Sequence, residues 1–139
     1  MKYLQTTALG LSLALAGASA FAAEPRSISV HVLDQVHGEP APSVGVTLEE
    51  QASDHETWSL LSQQTTNAQG RVGNLLPAKQ ALHKGIYRVT FATGDWFTAH
   101  TQSSFFPSVT VTFRVDDPAQ GYHIPLLLSP YGYSTYRGN

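Results

Sequence analysis

The sequence has no cysteine. Disulfides and thiolate chemistry are therefore excluded, and the fold must rest on its core and on whatever packs against it. Charge is scarce as well. Asp, Glu, Lys and Arg make up 13% of the residues, eight basic against ten acidic, for a net charge of −2. That balance provides no electrostatic footprint for nucleic acid. Apolar runs long enough to span a bilayer are missing downstream of the N-terminus. No HExxH, CxxC, EF-hand loop or GxSxG occurs, so metalloprotease, thiol-redox, calcium-loop and serine-elbow chemistries lack their signatures. No carboxylate pair stands out for acid–base work either. Asp116 and Asp117 read as turn formers ahead of Pro118.

What is present begins with MKYLQTTALGLSLALAGASAFAA, a lysine followed by an apolar run from Ala8 to Ala16 and then small residues. Residues 1–23 are expected to be a secretory signal, with cleavage near Ala20 or Ala22 and export to the periplasm. Residues 24–139 then form one small domain, with no membrane contact once the signal is removed. A core of that size is only marginally self-sufficient, so oligomerisation would help it.

Period-two alternation dominates this domain. SISVHVLD sets Ile28, Val30 and Val32 against Ser29, His31 and Leu33. GIYRVTFAT sets Tyr87, Val89 and Phe91 against Ile86, Arg88 and Thr90, and SVTVTFRV sets Val109, Val111, Phe113 and Val115 against Thr110, Thr112 and Arg114. VGVTLEE, TWSLLSQQTT, GYHIPLLLS and YGYSTYR also read as strands. Pro125 removes a ladder donor and predicts an edge or a bulge. HGEPAPS, TNAQGR and DDPAQG are turns, with Asn67 and Gly70 both able to take positive φ. TGDWFTAHTQSS is predicted as a short helix, Thr93 as its N-cap and Asp95 in the first turn. The sum is an all-β antiparallel sandwich of about seven to eight strands with one short helix.

The candidate chemistry lies on outward faces. His31 points away from the face that buries residues 28, 30 and 32, and His123 is opposite Tyr122, Ile124 and Leu126. A lone histidine on an outer sheet face is usually just solvated, so these two matter only if something brings their faces together. Arg71 follows the NAQG turn. Arg137 stands beside Tyr136 and Gly138, where its planar fork could meet a carbonyl-rich ligand or pair with the chain's own carboxylate. His37, His55, His83 and His100 fall in loops or on the helix without metal spacing. A zinc ion shared by His31 and His123 stays open as an alternative.

HVLD at 31–34, TNAQGR at 66–71, GIYRVTFATGDWF at 85–97 and YHIPLLLSPYGYSTYRG at 122–138 occur together in this order. In them the chain resembles the transthyretin-like family, in its 5-hydroxyisourate hydrolase branch, over nearly the whole mature length. The resemblance implies a transthyretin-like sandwich that assembles as a homotetramer, a dimer of dimers around a central channel lined by the outer faces. It implies His31, His123 and Arg71 as catalytic residues. It also implies substrate contacts from His31, Arg71, Tyr136, Arg137, Gly138 and Asn139, with no metal or organic cofactor. Asn139 departs from the family, which usually ends in serine. The implied reaction is hydrolytic opening of the six-membered ring of 5-hydroxyisourate in urate catabolism. The rival reading is an exported carrier of small ligands that uses the same channel without catalysis; transthyretin itself lacks the histidine and YRG set.

Overall fold

The computed structural model describes residues 27–139. The expected signal segment, residues 1–23, lies outside them. Among the described residues there are nine strands and one helix: β1 (Ile28–Asp34), β2 (Glu39–Pro40), β3 (Gly45–Gln51), β4 (Trp58–Thr65), β5 (Arg71–Val72), β6 (Gly85–Phe91), α1 (Thr93–Ala99), β7 (Val109–Val115), β8 (Tyr122–Ser129) and β9 (Gly132–Thr135). Two sheets face each other. One runs β2-β1-β8-β9, with β5 also paired to β1; the other runs β4-β3-β6-β7. Every pairing is antiparallel except β1 with β8, which is parallel from Ile28↔Tyr122 to Asp34↔Leu128.

The alternation read from the sequence is the packing pattern. Ile28, Val30 and Val32 are fully buried between the sheets, against Ile124, Leu126 and Leu128 of β8 and Val46, Leu48, Val89 and Phe91 of the opposite sheet. Each such side chain contributes about 1.5–3 kcal/mol on leaving water. Their burial fixes the register, because a slip by one residue would turn His31 inward and Val30 outward. The same parity places Ser29 and His31 on the outer face of the β1 sheet.

Pro125 is not at an edge. β8 is an interior strand, flanked by β1 and β9. The missing donor instead shows as a lapse in the β9 ladder. Leu126 pairs with Thr135, the positions opposite Ile124 and Pro125 leave the ladder, and Gly138 rejoins it through a bridge to His123. The Thr135 hydroxyl donates to the Pro125 carbonyl at 2.7 Å and satisfies it.

The helix forms as expected but its cap differs. Ala92, not Thr93, precedes the first helical residue, and no side chain caps it. The Ala92 N–H donates to Gly45 O at 2.8 Å, so the ladder of β6 runs straight into the helix. Thr93 is fully buried, its hydroxyl turned toward Phe106 O. Trp96 and Phe97 anchor the helix to the sandwich, with the indole N–H donating to Pro42 O at 2.8 Å.

Thr66 couples the loop after β2 to the turn before β5. Its buried hydroxyl accepts from Val44 N–H at 2.9 Å and donates to Ala41 O at 2.8 Å. Thr66→Val keeps the shape and orphans both groups. At about 1–3 kcal/mol per orphaned group, a loss of about 2–6 kcal/mol is expected, read as a lower urea midpoint with an unchanged m-value.

Candidate active site

The site is assembled around β1. On one side of this strand the turn Asn67–Gly70 feeds β5. Asn67 Oδ1 accepts from the N–H groups of Gln69 and Arg71, both at 3.0 Å, and Gly70 N–H donates to Asn67 O at 2.8 Å. Of the two residues expected to reach positive φ, only Gly70 does, at +71°. Its carbonyl accepts from Val32 N–H at 2.8 Å, and a Cβ at this position would stand 2.4 Å from Val32 O. The glycine thus lets the turn lie directly against β1. The result is a Cα pairing of Arg71 with His31.

On the other side, β8 brings His123 opposite Ser29, two residues from His31 on the same face. Diagonal neighbours of this kind are within reach of long side chains. The Ser29 hydroxyl and His123 Nδ1 are 2.8 Å apart. Gly138 closes the far side: its N–H donates to His123 O at 2.9 Å, and its Cα lies against the imidazole. Four elements of the chain therefore place Arg71, His31, His123 and Gly138 on one outer face.

Both imidazoles are held below the ordinary histidine value of 6.5. Burial is the main cause for each; the Arg71 guanidinium adds to it, and for His123 so does His31. Backbone hydrogen bonding at Gln69, for His31, and at Ser29, for His123, acts in the opposite direction. His31 Nε2 is buried without a hydrogen-bond partner. With the proton on Nδ1, this nitrogen presents a lone pair. Among the described residues the ion pairs are His37–Asp34 and Arg88–Glu49, and Arg71 belongs to neither. Its charge is exposed and available to a ligand.

The tail divides. Gly138 joins the histidines, but Arg137 does not. Its Nη2 donates to Gln120 Oε1 at 3.0 Å, and its guanidinium stands 5.5 Å from the Tyr122 ring centroid. It faces a cleft of about 440 Å³ that opens between β7 and β8 and is lined by Val111, Phe113, Tyr122, Ile124 and also His123. Tyr136, opposite Pro125, and Asn139 are both exposed. Of the other histidines, His37 bonds Asp34 at 2.6 Å and His100 packs on Trp96, away from this face. Among the described residues no group of three or more His, Asp or Glu side chains is gathered as a metal site requires. Ser29 is the residue the sequence reading passed over. Period two already puts it on the His31 face; its pairing with His123 depends on the parallel register, which no local pattern reveals.

Residues 28–138 match the model of the HIUase/Transthyretin family. The chain belongs to this family. It is 44% identical to the 5-hydroxyisourate hydrolase of Salmonella typhi over 138 residues, covering 99% of this chain and 98% of that one. With the 5-hydroxyisourate hydrolase of Caulobacter vibrioides it shares 40% identity over 116 residues, 81% of this chain and 97% of the other. Among solved structures, Klebsiella pneumoniae 5-hydroxyisourate hydrolase matches with a TM-score of 0.70 at 35% identity, over 81% of this chain and 99% of that one. Sea bream transthyretin in complex with thyroxine matches with a TM-score of 0.74 at 31% identity, over 80% and 93%. Within the HIUase/Transthyretin family the shared sandwich therefore does not separate hydrolase from carrier; the side chains on its outer face must do so.

Proposed function

We propose that this chain is a hydrolase that opens the six-membered ring of 5-hydroxyisourate, giving 2-oxo-4-hydroxy-4-carboxy-5-ureidoimidazoline. The observation that carries the reading is the gathering of two imidazoles and a guanidinium outside the ion pairs on one face, with His31 Nε2 buried and unpartnered. A passive apolar channel has no use for that set. The curated hydrolases at 40–44% identity support the same reaction.

The geometry suits water addition to a ring amide. With its proton on Nδ1, an imidazole can accept a hydrogen from water at Nε2 and turn the oxygen toward the carbonyl. One imidazole takes a proton as the C–O bond forms, a contribution typically worth about two to four powers of ten. Arg71 offers its fork to the carbonyl oxygen as negative charge develops there. The ring C–N bond then breaks, and the imidazolium returns its proton to the departing nitrogen. Water has been added across the amide, and both imidazoles are neutral again. No metal or organic cofactor takes part in this scheme.

The assembly and destination belong to the same proposal. We infer a homotetramer, a dimer of dimers, in which the outer face bearing the histidines borders a central channel and the tail residues Tyr136, Arg137 and Asn139 complete substrate contacts. The open edge strands β7 and β9 and the exposed Tyr131 and Tyr133 support association. The apolar N-terminal segment supports export to the periplasm.

The test is direct. With 5-hydroxyisourate generated in situ from urate, the full protein should accelerate decay of the substrate's absorbance; stoichiometric binding without acceleration would return the carrier reading. The pH profile is a second expectation. Both imidazoles titrate below 6.5, so the pair is neutral at pH 7. kcat/KM should be level through neutral pH and fall only as acid protonates the coupled pair, below the ordinary histidine value. An acid limb centred above 6.5 would show that the essential base is another group.

A further inference from the structure

We propose that Ser29 is a positioning residue for ring opening: its hydroxyl holds His123 in the tautomer and ring plane that present Nε2 to the substrate. The proposal rests on the hydrolase reading above and goes beyond the residues assigned there. Ser29 lies in the middle of a strand whose inner face is sealed by Ile28 and Val30, and it pairs by Cα with His123 across the parallel ladder. Its Oγ is 2.8 Å from His123 Nδ1 and is half-buried.

The chemistry follows from what each atom can donate. Nε2 can present a lone pair only when Nδ1 carries the proton, and in that state the Ser29 Oγ accepts from Nδ1. Loss of the hydroxyl would remove this bond and leave the ring freer to turn about its last torsion and to exchange tautomers. Where such outer partners orient metal-bound histidines, their removal costs about 10–100-fold.

Three substitutions separate positioning from packing. Ser29→Thr keeps the hydroxyl; Ser29→Val has the same branched shape without it; Ser29→Ala removes it with the least disturbance to the strand. Steady-state ring opening by the full protein should show kcat lowered about 10–100-fold in S29V and S29A, with KM little changed and S29T close to wild type. Nitrogen NMR of the side chain should show His123 in the Nδ1–H tautomer in wild type and S29T, and in a tautomer mixture in S29A. Equal rates for S29V and S29T, or an S29A spectrum identical to wild type, would overturn the proposal. If wild type fails to accelerate ring opening, the hydrolase reading fails, and the NMR comparison still decides whether Ser29 sets the state of His123.

Discussion

His31→Asn and His123→Asn are each expected to lower kcat for ring opening by about two to four powers of ten. Both side chains lie on the outer face, and neither contributes to the buried cluster between the sheets. Asparagine is polar, short and not a base near neutral pH. It preserves strand polarity while removing the lone pair that accepts the water's proton. The melting temperature should therefore change little, and the far-ultraviolet circular dichroism should not change. The two losses have separate causes. His31 presents a buried, unpartnered Nε2, so its replacement removes that lone pair from the site. His123 is fixed by Ser29 and Gly138, so its replacement also frees the tail from the imidazole it packs on. Rates measured over the neutral range, where the wild-type pair is unprotonated, check both expectations.

The second large effect comes from a residue with no side chain. A Cβ on Gly138 would stand 2.4 Å from His123 Cδ2, 3.0 Å from Cγ and 3.2 Å from Cβ. The first of these distances is far inside van der Waals contact, and the ring cannot yield freely because Ser29 holds its other side. Gly138→Val forces one of two outcomes. Either the imidazole moves off its bond, or the tail leaves β8 and gives up the 2.9 Å bond from Gly138 N–H to His123 O. The first displaces the catalytic nitrogen by about an ångström or more, a shift that can cost about a hundredfold in rate; the second takes the tail away from the imidazole it packs on. The tail follows an edge strand with exposed residues, so global stability should be nearly unchanged. A large drop in kcat with an unaltered melt is the expected signature. Loss of folding would mean that the tail is structural.

The fold was legible wherever burial alternates. Ile28, Val30 and Val32 identify both the strand and its inner face, and the same count puts His31 outside before any partner strand is known. Local signals also placed the Asn67–Gly70 turn and the helix. Misreadings arose where a tertiary contact overrides a local preference. Pro125 predicts an edge or a bulge; β8 is interior, so the edge fails, and the missing N–H shows instead as a lapse of one ladder that Thr135 bridges. Thr93 reads as a cap, yet the Ala92 ladder bond and the buried pocket under the helix claim that position. The site was half legible. His31, His123 and Arg71 could be named from their motifs, but the proximity of the two histidines follows from a parallel pairing of strands more than ninety residues apart in sequence. Arg137 was grouped with them through the family resemblance of the C-terminal motif; in the single chain its guanidinium bonds Gln120.

The claim on which everything else depends is that His31 and His123 act on one substrate as one unit. Comparing kcat for the two asparagine variants with that of the His31→Asn/His123→Asn double variant tests it most directly. Groups that work as a unit are non-additive, so the double variant should be about as slow as the slower single one. Losses that multiply in full, as for two independent contributions, would contradict the account.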